Sequence, residues 1–205
     1  MHNIRLRTPI SYYGGKQKLA SRIISFIPRR TLYCEPFIGG AAIFFAKRPS
    51  EIEVINDTNG ELINFYRTVK EDFSALEAEI STSLHSRDLH RKASLIYNNP
   101  DMFDRVKRAW AVWILSTQSF AGILDGIWGF DLSKNTTTKK SIPNVTALPA
   151  LLLKDCNAVS WNVPMHYMLS QVGIPKRASF TAIPLTLILI WAIMMITRRK
   201  IMKSC

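Results

Sequence analysis

Between residues 31 and 57 the sequence spells a strand, a glycine loop, a helix and a second strand. No other stretch restricts the chain so tightly, because this order points to an α/β architecture with parallel strands. Thr31-Leu32-Tyr33 reads as the first strand, and Glu35-Pro36-Phe37-Ile38-Gly39-Gly40-Ala41-Ala42 as the loop that follows it. Ile43, Phe44, Phe45 and Ala46 continue as a helix. Small residues in such a loop let a ligand come close to the backbone. Glu53-Val54-Ile55-Asn56-Asp57 is the second strand. Its terminal acid lies about twenty residues past the first loop, where a ribose-binding carboxylate belongs in folds of this kind. Asp57-Thr58-Asn59-Gly60-Glu61 then opens a helix, with Asp57 or Thr58 as its N-cap.

Ahead of this unit, Tyr12-Tyr13-Gly14-Gly15-Lys16 precedes an amphipathic run from Leu19 to Ile27 with apolar residues at helical spacing. Gly14 and Gly15 permit a tight turn, and Lys16 is placed to meet a carboxylate beside the helix start. Cys34, Cys156 and Cys205 are isolated, and the four His are scattered, so neither a disulfide framework nor a metal site is expected. The first residues lack the apolar run of a signal peptide. These features fit a reduced, cytoplasmic protein.

Glu-Pro-Phe-x-Gly-Gly-Ala followed by Asn-Asp-x-Asn-x-Glu-Leu-Ile-Asn-Phe-Tyr is similar to the pattern of Dam-type DNA adenine-N6 methyltransferases. The resemblance runs from about residue 9 to residue 140. It implies a Rossmann-like sheet that binds S-adenosylmethionine, with a helical DNA-recognition insert and double-stranded DNA as partner. It further implies that Tyr12 lines the cofactor and that Gly14, Gly15 and Lys16 form its turn, Lys16 holding the carboxylate end. Glu35, Phe37 and Gly39 would border the methionine part, and Asp57 would bond the ribose. By this resemblance residues 1–69 form the cofactor part and 70–140 the target-recognition region. No metal and no protein partner is implied.

A net charge of +12 suits a polyanionic partner, but half of the excess comes from the tail. From Ser141 onward there are seven Lys and Arg against one acid, and before it twenty against fourteen. In the middle segment, a basic amphipathic helix is expected over 103–116, with Trp110 and Trp113 in the core rather than stacked on bases. Gln118-Ser119-Phe120-Ala121-Gly122, Trp128-Gly129-Phe130 and the Thr, Asn and Lys residues of 134–140 follow as loops, the last suited to phosphate contacts.

The family's Asp-Pro-Pro-Tyr motif does not occur in the sequence. In the family its carboxylate and a proline carbonyl orient the exocyclic amine of a flipped adenine, and its tyrosine stacks on the base. No catalytic residue is therefore assigned. Residues 182–196 are instead almost wholly apolar and are followed by Arg198, Arg199 and Lys200, which read literally is a short membrane tail anchor. The genetic code gives another reading. When the last base of each codon is joined to the first two of the next, residues 180–196 permit Y-C-D-P-P-Y-F-N-T-D-M-G-H-Y-D-D-Y. Trp191-Ala192 forces its Gly, and Met194-Met195-Ile196 forces its Asp-Asp. The same shift over 141–155 and 159–176 permits further family-like sequence. The expectation is a frameshift near Lys140, a non-native tail over 141–205, an incomplete sheet that retains no strand after the second, and an inactive chain. Phe37 to Phe45 would then lack part of their cover. A DNA-binding remnant without turnover and a tail-anchored protein are the other two readings.

Overall fold

The computed structural model describes residues 8–29, 31–129 and 158–161. It is a mixed α/β structure built on a small parallel sheet. A 3-10 turn at Lys16–Lys18 leads into α1 (Ala20–Ser25). Next come β1 (Leu32–Glu35), α2 (Ala42–Ala46) and β2 (Ile52–Asn56). Four helices follow: α3 (Gly60–Glu71), α4 (Phe73–Ser81), α5 (Arg87–Asn98) and α6 (Arg105–Gln118). A last strand, β3, spans Ala158–Trp161. Both strands of the first unit thus lie one or two residues from their expected bounds. The division expected at 69/70 falls in the last turn of α3.

The sheet order is β1-β2-β3, with both pairings parallel. From the second residue onward β1 and β2 are buried without alternation, as parallel strands are when both faces are covered. Two sequence expectations are corrected here. The sheet does not stop at β2: Ala158–Trp161 lies along its far side, with Val54 opposite Val159. The bare side of β2 offers unpaired N–H and C=O groups, and a short extended segment satisfies them. The loop after β1 is less open than expected: Ile38, Ala41, Ala42, Ile43 and Phe44 are buried, while Phe37 and Phe45 are half-buried. Ile38, Ala41, Ile43 and Phe44 join the core that runs on through Leu62, Phe65, Tyr66 and Trp113. The other edge of β1 has no partner strand among the described residues.

The helical part is organised around α6, whose residues from Ala109 to Gln118 are all buried. Trp110 and Trp113 lie in this core, as the sequence led one to expect. Its first turn carries Arg105, Lys107 and Arg108, an unfavourable sign for a helix N-terminus. The acids of neighbouring helices offset it: Arg105 pairs with Glu71 and Asp72, Lys107 with Glu79, and Arg108 with Glu61. Asp104 caps α6 by accepting from the amides of Val106 and Lys107, and Ser86 caps α5 by accepting from that of Leu89. The cap of α3 is neither Asp57 nor Thr58 but Asn59, whose Oδ1 accepts from the Glu61 amide at 3.0 Å. The Asp57 carboxylate is occupied elsewhere.

After α6 the chain turns back at Ser119–Trp128 in a short antiparallel bridge that leaves Phe120 and Ile127 exposed at its tip. Ser119 is held from beneath by His90 of α5, with Oγ and Nε2 2.8 Å apart. No helix among the described residues is long and apolar enough to cross a membrane. The apolar segment 182–196, the basic loop 134–140 and the shifted-frame stretches lie outside the described residues, apart from the backbone of β3.

Candidate functional site

Three separated pieces of the chain meet at the C-terminal end of β1 and β2, the end at which open parallel sheets bind ligands. They enclose a cavity of about 300 Å³ lined by Tyr12, Tyr13, Gly14, Gly15, Lys16, Phe37, Ile38, Gly39, Gly40, Ala42 and Asp57. Seven of the eight residues singled out from sequence (Tyr12, Gly14, Gly15, Lys16, Phe37, Gly39 and Asp57) stand on its wall. The eighth, Glu35, is fully buried and does not line it.

Glycine is required here for space. Gly39 has φ +49°, and a Cβ on it would meet Cδ1 of Tyr12 at 3.1 Å. A Cβ on Gly40 would lie 3.3 Å from that of Tyr12. The Tyr12 ring therefore rests against the glycine loop with no room for a side chain between them. Tyr66 of α3 clamps the same loop, its hydroxyl donating to the Gly39 carbonyl at 2.7 Å. Burial, with Glu35 and Asp57 nearby, pushes the Tyr66 phenol well up, so it stays a donor at any ordinary pH.

Two carboxylates face different tasks. Asp57 accepts from the Gly39 amide through Oδ2 at 2.9 Å and from the Asn59 amide through Oδ1 at 3.0 Å. These bonds fix its plane at the cavity wall and leave acceptor capacity on both oxygens. Glu35 sits behind the wall. Its Oε2 accepts from the Tyr33 hydroxyl at 3.0 Å, and its Oε1 lies 3.1 Å from Nζ of Lys16. The Lys16 ammonium also donates to the Phe37 carbonyl at 2.7 Å. Burial pushes the Glu35 carboxyl up, and the ammonium beside it opposes that shift. Lys16 thus neutralises a buried charge while keeping one N–H for the cavity.

The residues that sequence reasoning passed over are Tyr66 and Tyr97. Tyr66 ends the Asn-Phe-Tyr of the α3 pattern, two helical turns after Asn59, so its spacing from the cap placed it on the sheet side. Tyr97 comes from α5, and its hydroxyl accepts from Nδ2 of Asn59 at 2.8 Å. Nothing local signals that contact. No group of His, Cys, Asp and Glu suited to a metal occurs among the described residues.

Residues 12–125 match the family described as D12 class N6 adenine-specific DNA methyltransferase. The chain is 36% identical over 108 residues to the type II methyltransferase M1.LlaDCHI of Lactococcus lactis subsp. cremoris, covering 52% of this chain and 37% of that one. It is 28% identical over 119 residues to the DNA N-6-adenine-methyltransferase of Escherichia phage P1, covering 57% and 16%. A third relative, the type II methyltransferase M.MjaIII of Methanocaldococcus jannaschii, is 29% identical over 110 residues, covering 48% and 38%. The matches therefore span well under half the length of these relatives. The matched residues include every segment that builds the cavity, and the chain belongs to the D12 class of N6 adenine-specific DNA methyltransferases.

Proposed function

We propose that residues 1–69 are the S-adenosylmethionine-binding part of a DNA adenine-N6 methyltransferase, on a Rossmann-like sheet. Residues 70–140 are the region that meets double-stranded DNA. The observation that carries the cofactor reading is the convergence of residues 12–16, 37–40 and 57 on one cavity. Its chemistry fits the group: a glycine cradle that a Cβ would fill, an aromatic ring against it, an oriented carboxylate and an ammonium. Asp57 would receive the ribose hydroxyls and the Tyr12 ring would border the nucleoside. Lys16 would meet the carboxylate end of the amino-acid portion. The cofactor supplies an electrophilic methyl group on sulfur. The chain's own residues bind, orient and exclude water.

Titration of the 205-residue chain with S-adenosylhomocysteine tests this. We expect measurable binding that Asp57→Ala weakens at least about tenfold, the loss of a charge-assisted hydrogen bond. A folded, monomeric preparation that does not bind removes the cofactor assignment.

For turnover the proposal differs. The Asp-Pro-Pro-Tyr segment is absent from the sequence, and its shifted-frame counterpart is read from the codons of residues 182–186. We place a frameshift near Lys140 and hold the chain as written inactive. A tritium-transfer assay on adenine-containing duplex DNA should give no signal with this chain and a signal once one base is restored there. Transfer by the chain as written refutes the inactivity, and silence from the restored one refutes the frame.

A further inference from the structure

We infer that Tyr97, from α5, is a positioning residue for the Asp57 carboxylate and acts on it through Asn59. This inference rests on the cofactor reading of the cavity given above. Asn59 is the junction of three hydrogen bonds, each from a different one of its atoms. Its backbone amide donates to Oδ1 of Asp57 at 3.0 Å, its Oδ1 accepts from the Glu61 amide at 3.0 Å, and its Nδ2 donates to the Tyr97 hydroxyl at 2.8 Å. The side-chain amide is therefore gripped from both ends, by the first turn of α3 and by α5. With the Asn59 side chain fixed, its backbone amide is fixed too, and that amide holds one oxygen of Asp57. The Gly39 amide holds the other at 2.9 Å.

The geometry gives the Tyr97 hydroxyl a task that packing does not need. The ring is half-buried against the core, and its removal to Phe keeps that contact. What Phe removes is one of two partners of the Asn59 side-chain amide, the other being the Tyr12 hydroxyl. The amide is then held from the cavity side alone, and the Asp57–Asn59 turn loses the outer support that keeps the carboxylate facing the cavity. Tyr97 itself is not on the cavity wall, so a direct contact with a ligand there is not part of the inference. It is a specificity device. It sharpens recognition of a ligand through the two vicinal hydroxyls that Asp57 would accept, and leaves the rest of the ligand untouched.

The test is a binding cycle on the full chain with two ligands, S-adenosylhomocysteine and its 2′,3′-dideoxy analogue, read by calorimetry. Tyr97→Phe should weaken S-adenosylhomocysteine by about three- to tenfold and the dideoxy analogue by less than about twofold. Asn59→Ser keeps an oxygen that can cap α3 and removes the Nδ2 donor. It should reproduce the same loss, and the double variant should bind no worse than either single one. Should Tyr97→Phe fail to fold, Asn59→Ser carries the measurement. Equal weakening of both ligands, or additive losses in the double variant, overturns the role of Tyr97. Discrimination kept intact in the variants also overturns it while leaving the cofactor assignment standing. A folded wild-type chain that binds neither ligand overturns both.

Discussion

Residues 8–57 and residues 60–118 bury different kinds of group at their centres. Around β1 and β2 the interior holds Glu35 with Lys16 against it, and Lys47 with Glu53, the latter pair nearly inaccessible to solvent. Lys47 also lies 4.2 Å from the centre of the Tyr33 ring. Around α6 the interior is mainly hydrocarbon, from Leu62 and Leu76 to Ile114 and Leu115, with uncharged polar groups such as Ser116, Thr117 and Gln118 at its C-terminal end, and the ion pairs stand outside. The first region fixes polar groups in one geometry and the second supplies volume. A region that must orient a ligand cannot be held by oil alone, because dispersion forces set distance but not direction.

That contrast can be broken by substitution. Lys47→Met should be the most damaging change, at about 3–5 kcal/mol, because it leaves the Glu53 carboxylate buried without its main partner. Urea unfolding of Lys47→Met beside the double variant Lys47→Met/Glu53→Leu measures it, and the double variant should recover most of the loss. In the other region Leu115→Ala should cost about 2–5 kcal/mol through a cavity, and no second substitution of a charge should rescue it. If Leu115→Ala proves cheaper than a surface change, the hydrocarbon account of α6 is wrong.

A smaller effect should come from pH. Burial pulls the His90 imidazole below its usual range, so unfolded chains take up its proton first. Stability should therefore be complete above about pH 6.5 and fall as the pH drops below it, toward the lowered folded value. His85 is lowered by burial too and acts in the same sense, whereas Glu35, raised by burial, acts in the opposite one. The difference between wild type and His90→Gln isolates the His90 part: the variant should show a shallower decline in urea midpoint from pH 7.5 to 5.5. The least effect is expected from Arg105→Ala. Its partners Glu71 and Asp72 are open to solvent, which should leave the urea midpoint almost unchanged. A large drop in that midpoint would show that the first turn of α6 needs its ion pairs.

Much of the first region was legible because its signals are local. Gly39 and Gly40 mark a loop, Val54 and Ile55 a strand, and Asp57 the strand's end. These follow from backbone freedom and side-chain pattern within a few residues. The cap was misplaced by one or two positions because Asp57, Thr58 and Asn59 can all cap a helix, and a distant amide, that of Gly39, claimed Asp57. Tyr97 was not legible, since its partner lies 38 residues away and is reached only after α5 has packed. The strand at Ala158–Trp161 was missed for a related reason. Four residues of weak pattern become a strand when an unfilled sheet edge lies beside them.

Cys34 gives the sheet a clock of its own. It sits buried on β1 opposite Val54, and burial, with Glu35 next to it, pushes its thiol up to about 12. The thiolate that alkylating reagents attack is thus scarce and enclosed for as long as β1 and β2 stay together. In a chain with Cys156 and Cys205 changed to Ser, the pace of alkylation would count how often these two strands part. It would time the opening of the sheet beneath the cavity separately from the helices beside it.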